Sequence, residues 1–229
     1  MTIDQLHFGC ASVMRLNKSS FTTLLSRWAK LLTGLAFIGF SIAFMKHANL
    51  GLGPWDVLND SLAGLMGIQL GTVSIIVGAI VLLFWIPVRE KPGIALIPSI
   101  LLIGVFTNIG LTFVESASSA FQRSAWLIIG ILLASFGSAL YLGSQLGSGP
   151  RDGLMLGLSR KMGWSVGRTR TGLEVLVLMV GWILGGAVGV GTVISALTIG
   201  PAIQFMAGKA GQQLQRPVEQ PYLMLRQGA

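Results

Sequence analysis

Apolar and polar positions in this chain fall into long blocks instead of alternating. The runs Ile68–Val88, Ile94–Val114, Ser124–Pro150 and Val175–Gly208 contain no Asp, Glu, Lys or Arg. A helix needs roughly 20 apolar residues to cross the hydrocarbon of a bilayer, and each run supplies that many. Breakers inside and between the runs predict crossings at about 28–47, 69–88, 93–114, 125–143, 169–185 and 188–208. In the first, the uncharged core lies between Lys30 and Lys46, and both lysines are expected to reach toward the headgroups. Two shorter helices are predicted, Pro54–Leu65 and Pro150–Met162. At 1.5 Å per residue the first extends roughly 18–20 Å, short of the apolar thickness of about 30 Å. It also carries Asp56, Asn59, Asp60 and Ser61, which predicts a half-crossing or re-entrant helix.

Both short helices begin at the same motif. Gly51-Leu52-Gly53-Pro54-Trp55-Asp56 returns as Gly147-Ser148-Gly149-Pro150-Arg151-Asp152, and the offset of 96 then holds without a gap. From Gly51 to Gly71, nine of 21 positions are identical to those 96 residues later. Gly34 meets Gly130, Phe40 meets Phe136, Gly93 meets Gly189, and Ile103-Gly104 meets Ile199-Gly200. The chain is a tandem duplication, an all-α integral membrane protein of two copies. Each copy has three transmembrane helices and one short half-crossing helix. The expected segments are a basic cytoplasmic lead (1–30), repeat 1 (31–114), a linker (115–124), repeat 2 (125–208) and a polar cytoplasmic tail (209–229), together one membrane domain.

Charge bears on whether the copies are inverted. If the short helices do not cross, three crossings per copy turn the second copy upside down. With the N-terminus inside, only Lys46 and Arg123 then lie outside. Eight crossings would put Lys46, Arg89, Lys91 and Arg151 outside and Arg123 inside. The positive-inside tendency favours six crossings by two of the 16 basic residues, and the choice between six and eight stays open.

Composition removes whole classes of function. Hydrophobic residues make up 52% of the 229 and charged residues 10%, with mean hydropathy +0.75. A soluble domain carries about 25% charged residues. The net charge of +8 lies between apolar runs, where it sets orientation, so no nucleic-acid partner is expected. Cys10 is the single cysteine, which excludes an intrachain disulfide or a cysteine metal cluster. The broken apolar patch Leu6–Met14 does not resemble a cleaved signal, and the first crossing is expected to act as an uncleaved anchor. His7 and His47 lack metal-ligand partners at helical spacing. No Walker loop, nucleophile elbow or HExxH motif occurs. No metal, cofactor or enzymatic activity is expected.

The motifs GLGPWD and GSGPRD, with MGWSVGRTRTGLEV, the glycine-rich GGAVGVGT and a last helix ending IGPAIQ, resemble the YczE branch of the YczE/YyaS/YitT family. The similarity spans roughly Leu31 to Gly208, and its second-copy part is the more specific. It implies a multi-pass protein of the bacterial cytoplasmic (inner) membrane, and brings no catalytic residues.

The residues that could carry chemistry are few. Gly51, Gly53, Pro54, Gly147, Gly149 and Pro150 form the helix-break motif. Asp56 and Asp152 either cap the restarted helices or form gates or a cation or proton site between inverted repeats; Arg151 is a further candidate for a substrate or ion pathway. Arg170 and Glu174, one turn apart, form a neutralising pair, or with Arg168 line an entrance for an anionic solute or headgroup. Asn108 and Gln204, equivalent by the offset, bond neighbouring helices or contact a substrate. Gly34, Gly39, Gly130, Gly137, Gly181, Gly185 and Gly186 read as close helix contacts. Trp28, Trp55, Trp126, Trp164 and Tyr141 read as interfacial anchors.

Two readings follow. One is a transporter or permease of unknown substrate, with a site between the copies. The other is a non-transporting scaffold or regulatory protein that binds a partner membrane protein. The expected partners are the lipid bilayer, a small solute, and a second copy or another membrane protein.

Overall fold

The computed structural model describes residues 4–213, with side chains over 22–203, 205 and 206. The expected ends at 1–3 and 214–229 lie outside the described residues. Those described are helical with no strand: α1 Asp4–Ala48, α2 Pro54–Met66, α3 Leu70–Leu83, α4 Trp85–Val88, α5 Leu96–Phe113, α6 Ala120–Gly143, α7 Pro150–Met162, α8 Val166–Ile183 and α9 Val190–Gln213. The elements of the second half follow the first at the expected offset: α6 answers α1, α7 answers α2, α8 answers α3 with α4, and α9 answers α5.

The breaks are local chemistry. Gly53 and Gly149 are the extended residues before Pro54 and Pro150, which open α2 and α7 where a missing N–H costs nothing. Gly51 and Gly147 take φ of +113° and +121°, a conformation open to glycine. Both helices end on left-handed glycines, Gly67 and Gly163. The predicted crossing at 69–88 is interrupted at Phe84, because Pro87 cannot donate to the Leu83 carbonyl one turn back.

Among the described residues three helices are long and apolar enough to cross a membrane by composition: Thr22–Ala48, Leu96–Phe113 and Ala120–Gly143. Helices α2 and α3 together pass the same test, but meet at 113°. Helix α8 has the length yet carries Arg168, Arg170 and Glu174. The described apolar part of α9 is shorter, Val190–Ile203.

The centre is the seam between α1 and α6. A methyl group added at Gly34 would lie 2.6 Å from Gly137 O and 2.7 Å from Tyr141 N. One added at Gly130 would lie 2.5 Å from Met45 Cγ and 3.1 Å from Ser41 O. Phe37 meets Phe136 at 5.7 Å, and Phe44 meets Trp126 at 5.2 Å. Rising numbers on α1 pair with falling numbers on α6, so the two run antiparallel at backbone contact, as small residues permit. Two buried clusters flank the seam, Leu31 with Tyr141 at one end and Leu127 with Met45 at the other.

Each half reaches into the other. Helix α2 packs on α8, and α7 packs on α3 and α4. The same main-chain hydrogen bond is made twice: Ala95 N donates to Leu146 O at 3.1 Å, and Gly191 N donates to Leu50 O at 2.8 Å. These four residues are two pairs at the offset of 96. One relation is not repeated. Helix α5 packs along both α1 and α3, whereas among the described residues α9 packs along α6 but not along α8.

Candidate functional site

The restarted helices α2 and α7 point their first turns at a common cavity of about 220 Å³. Its walls come from α1, α2, α3, α5, α6, α7, α8 and α9, so both halves line it. Four pairs among the lining residues are equivalent by the offset: Trp55 with Arg151, Ser74 with Arg170, Gly78 with Glu174, and Ile103 with Ile199. A cavity lined by both members of several equivalent pairs straddles the relation between the copies. The pairs have diverged, however. The first half contributes Trp55, Ser74 and Gly78, and the second half contributes the charges.

Asp56 and Asp152 lie in the first turns of α2 and α7, where a carboxylate favours the helix dipole, while the cap residues Gly53 and Gly149 offer no side chain. The carboxylates act across elements. Asp56 Oδ1 lies 3.5 Å from the Arg151 guanidinium, which is stacked 5.1 Å from the centre of the Trp55 ring. Asp152 Oδ2 accepts from the Tyr141 hydroxyl at 3.3 Å, and that hydroxyl also accepts from Gly149 N. Tyr141 is thus the link that fixes the start of α7 against α6. The bond from Trp85 Nε1 to Pro150 O, 2.9 Å, holds the same turn from the other side.

Arg170 Nε bonds Glu174 Oε1 at 2.8 Å, the pair expected from their spacing, and both line the cavity. Arg168 does not line it; its main-chain N–H is capped by Ser165 and its side chain is exposed. Asn108 also lies elsewhere. Its Oδ1 accepts from Gly71 N at 2.8 Å and its Nδ2 donates to Thr72 Oγ1 at 3.2 Å, so it fastens α5 to α3. Gly71 and Gly104 let these helices touch, main chain to main chain. The side chain of Gln204, its counterpart, lies outside the described residues. At Gly167 and Gly200, the counterparts of Gly71 and Gly104, an added methyl group would meet nothing among the described residues within 4 Å. Among the described residues the halves therefore differ: closed between α3 and α5, parted between α8 and α9.

Sequence reasoning missed three features. Trp55, expected as an interfacial anchor, lies under Arg151 in the cavity wall. Tyr141, also expected as an anchor, is instead buried and joins the site through bonds to Asp152 and Gly149 that no sequence pattern marks. Asn59 is 1% exposed, and neither its Oδ1 nor its Nδ2 has a hydrogen-bond partner among the described residues. Its equivalent by the offset, Met155, lines the cavity. Of the glycines expected at helix contacts, Gly185 instead forms a left-handed turn with φ of +90° and open space around it.

Among the described residues no group of three or more His, Cys, Asp or Glu could hold a metal ion. A family of unknown function (DUF6198) matches residues 25–208. An uncharacterized protein of Haemophilus influenzae is 37% identical over 175 residues, 76% of this chain and 80% of that one. The uncharacterized membrane protein YczE of Bacillus subtilis is 33% identical over 194 residues, covering 83% and 90%. The uncharacterized protein YyaS of the same organism is 25% identical over 166 residues, covering 71% and 83%. No solved structure matches.

Proposed function

The chain belongs to the DUF6198 family and is similar to YczE and YyaS, and from that premise we propose that this multi-pass membrane protein is a transporter of the bacterial inner membrane. Its two copies are inverted repeats, and the cavity between them is the solute site. The observation that carries this reading is the cavity wall itself, in which Trp55/Arg151, Ser74/Arg170, Gly78/Glu174 and Ile103/Ile199 are equivalent pairs. Transporters of inverted repeats hold their substrate at such an interface, beside interrupted helices. The antiparallel course of α1 and α6, themselves equivalent, supports inversion.

A second conformation follows by exchanging the roles of the copies. Helices α8 and α9 would close at Gly167 and Gly200, as α3 and α5 now close at Gly71 and Gly104. Parting α3 from α5 would open the cavity to Asn59, as it now opens to Met155. An amide buried without partners is costly, and the exchange gives that of Asn59 a place to act. Pro201, inside α9, supplies a point where the helix can bend.

Single-cysteine labelling in a Cys10→Ser background tests both parts. Asn49 and Gln145 are equivalent, exposed, and both left-handed, with φ of 52° and 56°. Cysteines there should react with an impermeant reagent from opposite faces of the membrane, and reaction from a common face removes the inverted arrangement. Met155→Cys and Asn59→Cys should likewise react from opposite faces; a cavity reached from one face only removes transport.

A further inference from the structure

The lining of the cavity carries two charges of each sign, Arg151 and Arg170 with Asp152 and Glu174, and Asp56 faces Arg151 from just outside the lining. Facing them are Trp55, Ile100 and Ile103, with no charge at all. We infer that the cavity binds a small zwitterion, one molecule carrying both an ammonium and an oxyanion, with its apolar body against Trp55. The inference rests on the reading of this cavity as the solute site and names the class of solute.

Each charged group has capacity left. Arg151 approaches Asp56 no nearer than 3.5 Å, and Tyr141 reaches Asp152 at 3.3 Å; charge-assisted bonds close to about 2.7–2.9 Å when fully made. The Arg170–Glu174 pair is tighter, but it lies within one turn of α8 and its arginine is 43% exposed. Such a pair opens at little cost and without unpacking a helix. An oxyanion can then meet Arg170 or Arg151 while an ammonium meets Glu174 or Asp152.

Other ligand classes fit worse. A lone ion offers a partner to groups of one sign alone, and a purely apolar solute would strip water from four charged groups without replacing it. A zwitterion serves both signs and exchanges partners. Size sets a further limit. The cavity is below the roughly 300–1,000 Å³ of drug-sized sites, and holds the liquid volume of about seven waters. Two sources carry this chemistry, a free amino acid or the headgroup of an ethanolamine phospholipid.

The test is equilibrium binding of radiolabelled L-phenylalanine to the full chain in phosphatidylglycerol nanodiscs, competed by three probes. Phenethylamine keeps the ammonium, 3-phenylpropionate keeps the carboxylate, and glycerophosphoethanolamine represents the lipid headgroup. Phenylalanine should compete about tenfold or more better than either singly charged analogue, since each lacks a bond to a charged group. Arg170→Gln and Glu174→Gln should each abolish that preference while the melting temperature stays close to that of the parent. Tighter competition by glycerophosphoethanolamine than by phenylalanine supports the proposal and assigns the lipid source. Equal competition by a singly charged analogue overturns it, as does failure of both zwitterions to bind or a preference that survives both substitutions together. Binding needs no gradient, so a zwitterion that binds while the cavity labels from one face only would keep this inference and end the transport reading.

Discussion

Asn108→Ala should release α5 from α3 and shift the protein toward its second conformation. The side chain makes two interhelical bonds, from Gly71 N at 2.8 Å and to Thr72 Oγ1 at 3.2 Å. Gly71 is the second residue of α3, so its N–H has no acceptor within the helix. Hydrogen bonds between helices in a membrane contribute about 0.6 kcal/mol each on average. Two give about 1.2 kcal/mol, and at 1.4 kcal/mol per factor of ten the population of the open form should rise about sevenfold. Asn59→Cys in a Cys10→Ser background reads that population, because in the proposed exchange its thiol becomes accessible when α3 and α5 part. When the open form is the minor one, the labelling rate is proportional to its population. The rate should therefore rise about sevenfold with Asn108→Ala. A disulfide between Thr72→Cys and Asn108→Cys, placed across the existing contact, should suppress labelling. An unchanged rate in the first variant, or persistent labelling once the disulfide has formed, would refute the assignment of this seam as the gate.

Two further predictions concern the packing that holds the copies together. Gly34→Val drives a side chain into Gly137 O and Tyr141 N, which are main-chain atoms and cannot swing away. A loss of about 1–3 kcal/mol or more is expected, read as a lower melting temperature in detergent. Gly64→Ala, with nothing within 4 Å, should leave the melting temperature unchanged or slightly raised. Gly51→Ala combines a left-handed φ of +113° with a methyl group 2.5 Å from Thr192 Oγ1 and 2.8 Å from Gly189 N. Gly163→Ala has φ of +68° and open space, so it should lose only about 1–2 kcal/mol for the left-handed conformation. Equal melting temperatures for Gly51→Ala and Gly163→Ala would contradict the main-chain junction between Leu50 and Gly191.

Much of the architecture is written locally. Uncharged runs mark membrane helices because a charge in hydrocarbon is expensive. The Gly-x-Gly-Pro motif marks the restarts, because its glycine takes a φ that other residues resist and its proline opens a helix without losing a bond. The offset of 96 let each element be matched to a counterpart. Arg170 and Glu174 could be paired from spacing alone, since i and i+4 share a helix face.

What depended on distance in space was not legible. Asp56 could not be assigned to Arg151, nor Asp152 to Tyr141, because those bonds join separate helices whose approach is set by the α1–α6 seam. The same holds for Asn108, whose role as a clasp comes from Gly71 and Gly104 letting α3 and α5 touch. The sequence by itself determined the helices, their breaks and their duplication, since each depends on a residue and its near neighbours or on repetition. Only the tertiary structure decided that the two copies exchange helices, enclose a charged cavity and differ in which seam is closed. Packing energy is a property of surfaces brought together, and equivalent sequences can meet their partners differently.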